Sequence, residues 1–203
     1  VDTVAPFIEP RIDEDTNILW GRGACDAKGI LAAMIEALCQ QHAQGFSDLA
    51  LLVTVGEEES SDGAKACNTR LQGRAHYVVV GEPTELKAAH AQKGTIVFDL
   101  VAHGQEAHSS LPHLGDSAIH KLVSVTEQLV AHPWPCHDHF KQTLLNVGHI
   151  TGGYKRNVVA PFAQAQCIMR TSHQATDLIA LIKSNLKPGV DLVIHSSSDP
   201  FDY

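Results

Sequence analysis

The apolar pattern changes character near Lys93-Gly94, and the two sides of that point read as different layers. Before it, strand-like and helix-like segments alternate. Residues 1–6 form a short strand stopped by Pro6, and residues 21–29 form a glycine-rich turn. Leu31, Met34, Ile35 and Leu38 then recur at helical spacing. The continuous apolar run 49–55 reads as a buried strand, 64–71 as a helix and 77–80 as another strand. Such alternation predicts an α/β layer with a mainly parallel sheet. After residue 93 the order is strand 95–102, helix 117–131, strands 144–150 and 157–170 around Gly152-Gly153, helix 177–186 and strand 191–195. That β-α-β-β-α-β order predicts a small ferredoxin-like α+β layer.

Where the acids fall on this frame matters more than their number. Asp2 lies in the first strand, Glu57, Glu58 and Glu59 directly follow the strand 49–55, and Glu82 follows the strand 77–80 after one glycine. Asp26 stands in the glycine-rich turn before the first helix. In an open α/β sheet the carboxyl ends of the strands form the binding crevice. Carboxylates from several strands would converge there, and crowded like charges repel unless a cation neutralises them. A plainer reading stays open beside this one. In it 57–59 is a solvated acidic loop, Asp26 caps a helix and Glu82 is a turn residue before Pro83.

Two nucleotide readings of the turn fail. A dinucleotide fingerprint needs a third glycine where Asp26 stands, and a P-loop needs Gly-Lys-Ser/Thr where the chain has Lys28-Gly29-Ile30. A net charge of −8 also argues against nucleic-acid binding, which needs a basic surface. Five cysteines, an odd count with no CxxC pair, argue against a disulfide frame and for a reducing, cytoplasmic setting. No apolar run approaches the ~20 residues that span a bilayer, so no membrane partner is expected.

The motifs resemble those of the di-zinc aminoacylase, acetylornithine deacetylase and succinyl-diaminopimelate desuccinylase family of metallopeptidase-type amidohydrolases. Residues 1–4 look like the tail of its His-x-Asp element. Gly21-Arg22-Gly23-Ala24-Cys25-Asp26-Ala27-Lys28-Gly29 resembles its GRGxxDxKG element, Gly56-Glu57-Glu58 its glutamate pair and Gly81-Glu82-Pro83-Thr84 a further ligand element. The resemblance implies two divalent metal ions, zinc first, with cobalt or manganese by the same chemistry. Asp26 would bridge the metals, Glu58 would hold one and Glu82 the other. Glu57 would be the general base, and Asp2 would orient a metal-bound histidine. That histidine would precede Val1, and the family's last metal histidine would lie well beyond Tyr203. The chain is therefore expected to be a fragment that binds metal weakly alone. Cys25, beside Asp26, is expected to be a small buried residue, and Trp20 and Trp134 packing or loop anchors.

The same resemblance implies a mainly parallel-sheet catalytic domain over 1–93, resumed at 198–203, with an inserted lid and dimerisation domain over 94–197. Ala107-His108-Ser109-Ser110 looks like the lid element whose histidine stabilises the oxyanion in the partner subunit. Asn157 and Arg170, with Gly152-Gly153, resemble lid positions that hold the substrate carboxylate. Ala160-Pro161 and Met169 before Arg170 depart from the usual pattern there. His90, His113, His120, His137 and His139 show no carboxylate partner in the sequence and are expected to be surface or core fillers.

The expected activity is hydrolysis of the amide of an N-acyl amino acid, of the acetylornithine type, by a homodimer. Glu82, where aminopeptidases of the family tend to carry Asp, favours a deacylase or a carboxypeptidase. The rival from another class is a non-catalytic binding or dimerisation protein that keeps the fold.

Overall fold

The computed structural model describes residues 2–58 and 61–202; Val1, Glu59, Ser60 and Tyr203 lie outside the described residues, and with them the expectations placed on Val1 and Glu59. The chain divides into two compact units, Val1–Ala88 and Ala89–Tyr203.

The first unit carries a hairpin, β1 (Arg11–Asp13) with β2 (Ile18–Trp20), and two helices, α1 (Ile30–Ala43) and α2 (Asp62–Leu71). The hairpin was not legible as strands. Its turn is closed by Asn17 at φ 54°, a left-handed position that asparagine tolerates, and by the Thr16 amide on Asp13 Oδ1 at 3.2 Å. The register sets Arg11 opposite Trp20, with the guanidinium 5.2 Å from the indole centroid. Trp20 is thus a surface anchor at 47% exposure, not a core residue. Helix α1 forms where its apolar spacing predicts, with Leu31, Met34 and Leu38 half-buried.

Three expected strands do not form. Residues 2–4 carry no ladder, and neither do 49–55 or 77–80, where Tyr77 to Val80 are 69–93% exposed. A strand exists where a neighbouring backbone completes its ladder. Among the described residues of this unit the ladder that forms is β1–β2, antiparallel. The mixed α/β character holds, but no parallel ladder is built from these apolar runs.

The second unit is built around an antiparallel sheet of four strands in the order β7-β8-β4-β9. It comprises β3 (Ala91–Gln92), β4 (Gly94–His103), α3 (Ala118–Ala131), β5 (Cys136–His137), β6 (Lys141–Gln142), β7 (Leu144–Gly152), β8 (Phe162–Thr171), α4 (Ala175–Ser184), β9 (Val190–Ser198) and β10 (Phe201–Asp202). The large sheet and its two helices have the ferredoxin-like order read from the sequence. Two small pairings are added, β5–β6 and β3–β10.

Period-2 alternation decides which face is core. Ile96, Phe98, Leu100 and Ala102 of β4, with Ala163, Ala165, Cys167 and Met169 of β8, are all at most 5% exposed. They pack against Ala118, Leu122, Val125 and Leu129 of α3 and Leu178 and Ile182 of α4. Ile119, Val123 and Val130 point outward because the spacing of 118, 122, 125 and 129 takes the buried stripe. Ser117 caps α3 by accepting the His120 amide. Trp134 is buried, its indole N–H on the Leu129 carbonyl at 2.9 Å. Burial pushes the Cys167 thiol up to about 12, so it is an inert core residue.

Strand β8 begins at Phe162, five residues later than the spacing predicts. Residues 157–161 are drawn away by the loop after β4: Ser109 donates to the Asn157 carbonyl, Val159 to Ala107, and Gly104 to Pro161. Among the described residues no helix is long and apolar enough to cross a membrane.

Candidate active site

Glycines bring the acids of the first unit together. Gly23 adopts φ 78°, a left-handed conformation that favours glycine, and a Cβ there would crowd the Thr3 methyl at 2.5 Å and the Lys28 ammonium at 2.8 Å in the turn before α1. A Cβ on Gly81 would lie 2.7 Å from Ile30 and 3.0 Å from Met34 Sδ. That close approach seats the segment carrying Glu82 on the first turns of α1, directly after the turn that carries Asp26. The Glu57 amide donates to Asp2 Oδ1 at 3.2 Å, tying the start of the chain to the glutamate pair.

The electrostatics record this convergence. Glu58 is held above the ordinary carboxylate value, by desolvation first and then by the charges of Asp26, Glu57 and Asp2, against a lowering contribution from Arg22. Glu82 is raised by partial burial, then by Asp26, Glu57 and Glu58. Five carboxylates, Asp2, Asp26, Glu57, Glu58 and Glu82, are therefore brought into electrostatic range from four separate segments. Asp26 and Glu58, with Arg22 and Cys25, line an open cavity of about 190 Å³. Cys25 is exposed there, contrary to expectation, because the turn faces outward.

This donor set suits hard or borderline divalent cations, which take carboxylate oxygens and relieve mutual repulsion. Asp26, Glu58 and Glu82 are nonetheless not drawn into one tight grouping. Among the described residues the three-donor group with all ligand atoms within 4.8 Å is His90, His139 and Asp202 of the second unit. His90 and His139 are surface residues, and each has in space the carboxylate partner that the sequence does not show: both face Asp202. That partner is 112 residues from His90, beyond any local pattern. His137 is a structural acceptor, its Nδ1 receiving the amides of His139 and Phe140.

In the second unit, His108 and Asn157 are neighbours. A bridge joins His108 to Val158, and the Ser109 amide donates to Asn157 O at 3.0 Å. The Ser110 amide lies 3.2 Å from His108 Nδ1 and its hydroxyl 2.8 Å, which turns Nε2 of an exposed ring outward. Arg170 is not part of this group. It lies near the far end of β8, about 26 Å along the strand from Phe162, where it donates to Thr95 Oγ1 at 3.0 Å. Within one subunit, Asn157 and Arg170 cannot hold the same carboxylate. A polar pair that periodicity alone did not reveal lies on the sheet face away from the helices. There Asp99, 8% exposed, accepts from Gln164 at 2.7 Å and pairs with His195 Nε2 at 2.9 Å.

Comparison with known proteins places these features in a family context. Residues 90–189 match the peptidase dimerisation domain. A protein of Aspergillus fumigatus named "Probable carboxypeptidase" is 36% identical over 96% of this chain and 50% of its own length. A peptidase M20 domain-containing protein of Schizosaccharomyces pombe is 32% identical over the whole chain and 56% of its own length. The chain thus spans about half the length of the curated relatives it matches. In fold, the aminopeptidase PepT of Bacillus cereus is similar over the whole chain with a TM-score of 0.71 at 22% identity, the chain covering 57% of it.

Proposed function

The chain belongs to the M20 peptidase family, and from that premise we propose that the protein carrying it hydrolyses an amide whose amine side is an amino acid with a free carboxylate. N-acyl amino acid deacylation, acetylornithine-like, and carboxypeptidase action both break that bond; they differ in whether the acyl group is a simple acid or an aminoacyl residue. The names of the fungal relatives favour the second as much as Glu82 favours either.

The observation that carries the reading is the convergence of Glu58 and Glu82 on Asp26: each is raised first by desolvation and then by the Asp26 charge. Carboxylates crowded enough to hold protons more tightly are also crowded enough to favour a divalent cation. Asp26 would hold two such ions between Glu58 and Glu82, and zinc bound there would supply an acidified water and a polarised carbonyl. Glu57 takes the proton of the attacking water and returns it to the departing amine. Asp2, through the Glu57 amide, positions that base. His108 donates from Nε2 to the oxyanion, and its neighbour Asn157 binds the substrate beside it. Arg170 acts in a different contact from Asn157. Residues 94–197 form the lid and homodimer interface, with 1–93 and 198–203 assigned to the catalytic domain.

The test is an assay of the zinc-loaded protein on N-acetyl amino acids, N-blocked dipeptides and dipeptide amides with a free amino terminus and no free carboxylate. Hydrolysis of either of the first two supports the reading and assigns the acyl preference. Turnover confined to peptides with a free amino terminus overturns it in favour of an aminopeptidase, and no turnover of any favours the non-catalytic rival.

A further inference from the structure

His90, just before β3, His139, in the turn between β5 and β6, and Asp202, in β10, meet at the surface of the second unit. Backbone pairing sets two of them side by side, because β3 and β10 pair with Ala91 opposite Asp202. His90 Nδ1 lies 3.0 Å from Asp202 Oδ1, and His139 Nε2 lies 3.7 Å from Oδ2. The two imidazoles are 5.4 Å apart between centroids and tilted by 48°, so neither stacks on the other. Each ring thus addresses a different oxygen of one carboxylate.

The spacing suits one small cation. Metal–nitrogen and metal–oxygen bonds of about 2.0–2.2 Å in a tetrahedron put neighbouring donor atoms roughly 3.3–3.6 Å apart. The two measured separations, 3.0 and 3.7 Å, run to different oxygens of Asp202, and one ligand atom from each of the three residues lies within 4.8 Å of the other two, so small side-chain adjustments bring all three onto one ion. The hairpin that presents His139 is held by contacts of its own. His137 Nδ1 accepts the amides of His139 at 3.2 Å and Phe140 at 3.4 Å, and the Phe140 ring stands edge-on to His139 at 5.2 Å. The Lys93 ammonium, next to β3, donates to the Gln142 carbonyl of β6, which ties the hairpin to the strand that follows His90.

We infer that His90, His139 and Asp202 form a divalent transition-metal site within the second unit, independent of the acids proposed for catalysis. The donor set is two imidazole nitrogens and one carboxylate oxygen. It selects zinc, cobalt, nickel or copper over magnesium and calcium, which take oxygen ligands. All three residues are exposed, so water completes the coordination. The bound ion links β3, the β5–β6 turn and β10, three segments that are far apart in the chain. It therefore acts as a clip on the paired strands β3 and β10 and not as a reaction centre.

The experiment uses the full chain carrying Asp26→Asn, Glu58→Gln and Glu82→Gln, which silences the acids of the first unit. Zinc ion alone is titrated in by calorimetry at neutral pH. One equivalent is expected to bind. His139→Gln or Asp202→Asn is expected to weaken it at least tenfold, while His113→Gln, at another exposed turn, leaves it unchanged. Cobalt ion added to the chain with its ligand set intact is expected to broaden the imidazole resonances of residues 90 and 139 before those of the other histidines, a readout that needs no ligand variant to fold. No bound equivalent, an undiminished equivalent in His139→Gln, or cobalt broadening centred elsewhere overturns the inference. Because the first unit's acids are silenced throughout, failure here leaves the catalytic reading untouched, and failure of that reading leaves this site standing.

Discussion

At the scale of single residues, two adjacent glutamates are assigned opposite tasks, and substitution separates them. Glu57→Gln removes the proton carrier while leaving the Asp26, Glu58 and Glu82 donor set intact. Turnover of the zinc-loaded protein is expected to fall by roughly 10²–10⁴, the usual worth of general base catalysis, with metal content by mass spectrometry unchanged. Glu58→Gln is expected to lose metal as well. In the metal-free chain it should also raise the thermal midpoint, because it removes a charge that sits among Asp26, Glu57 and Asp2. The pH dependence has a definite sign. Glu58 and Glu82 hold their protons in the folded chain to higher pH than the ordinary value of 4.5. In the window just above 4.5 the folded state binds more protons than the unfolded one, so stability falls as pH rises through it. Metal-free melting curves between pH 4 and 7 check this, and Glu58→Gln should flatten the slope.

At the scale of elements, the second unit owes its order to one alternating strand. In β4 the residues 96, 98, 100 and 102 are buried on one face, and the strand carries a ladder on each side, ten residue pairs to β8 and eight to β9. Phe98→Ala, at a fully buried position, is expected to cost about 3–5 kcal/mol in denaturant unfolding followed at this unit. Ser117→Ala removes the side-chain cap of α3 and is expected to cost about 1 kcal/mol in the same measurement. The strands 49–55 and 77–80 show the converse. Their composition is that of buried strands, yet strand formation is a property of a pair of backbones, and neither run acquires a ladder among the described residues. The late start of β8 has the same origin, since residues 157–159 pair with the loop that carries His108 instead of continuing the sheet.

At the scale of the molecule, the core lies in one unit. Every member of the main buried cluster falls between Ile96 and Val190. Slow amide exchange is therefore expected to concentrate in β4, β8 and α3, with the first unit exchanging faster under the same conditions. The proposed homodimer adds a test of its own. If His108 serves the neighbouring subunit's site, mixing a His108→Ala subunit with a Glu57→Gln subunit restores activity in mixed dimers of the full-length protein, since one site then pairs an intact base with an intact donor. Heterodimers that form but stay inactive show that His108 does not act across the interface.

Local chemistry by itself determined the ferredoxin-like order of the second unit and the helix α1, and it singled out the acids Asp26, Glu57, Glu58 and Glu82 that are proposed as one functional set. Periodicity, glycine spacing and motif order are local properties, and they are written in consecutive residues. Tertiary structure alone decided which expected strands found partners and that Arg170 stands at the far end of β8 from Asn157. It also brought His90 and His139, which have no acidic neighbour in sequence, onto Asp202. Those outcomes depend on backbone pairing between segments as much as 112 residues apart, and no pattern along the chain encodes which distant segment will supply the other half of a ladder or a charge pair.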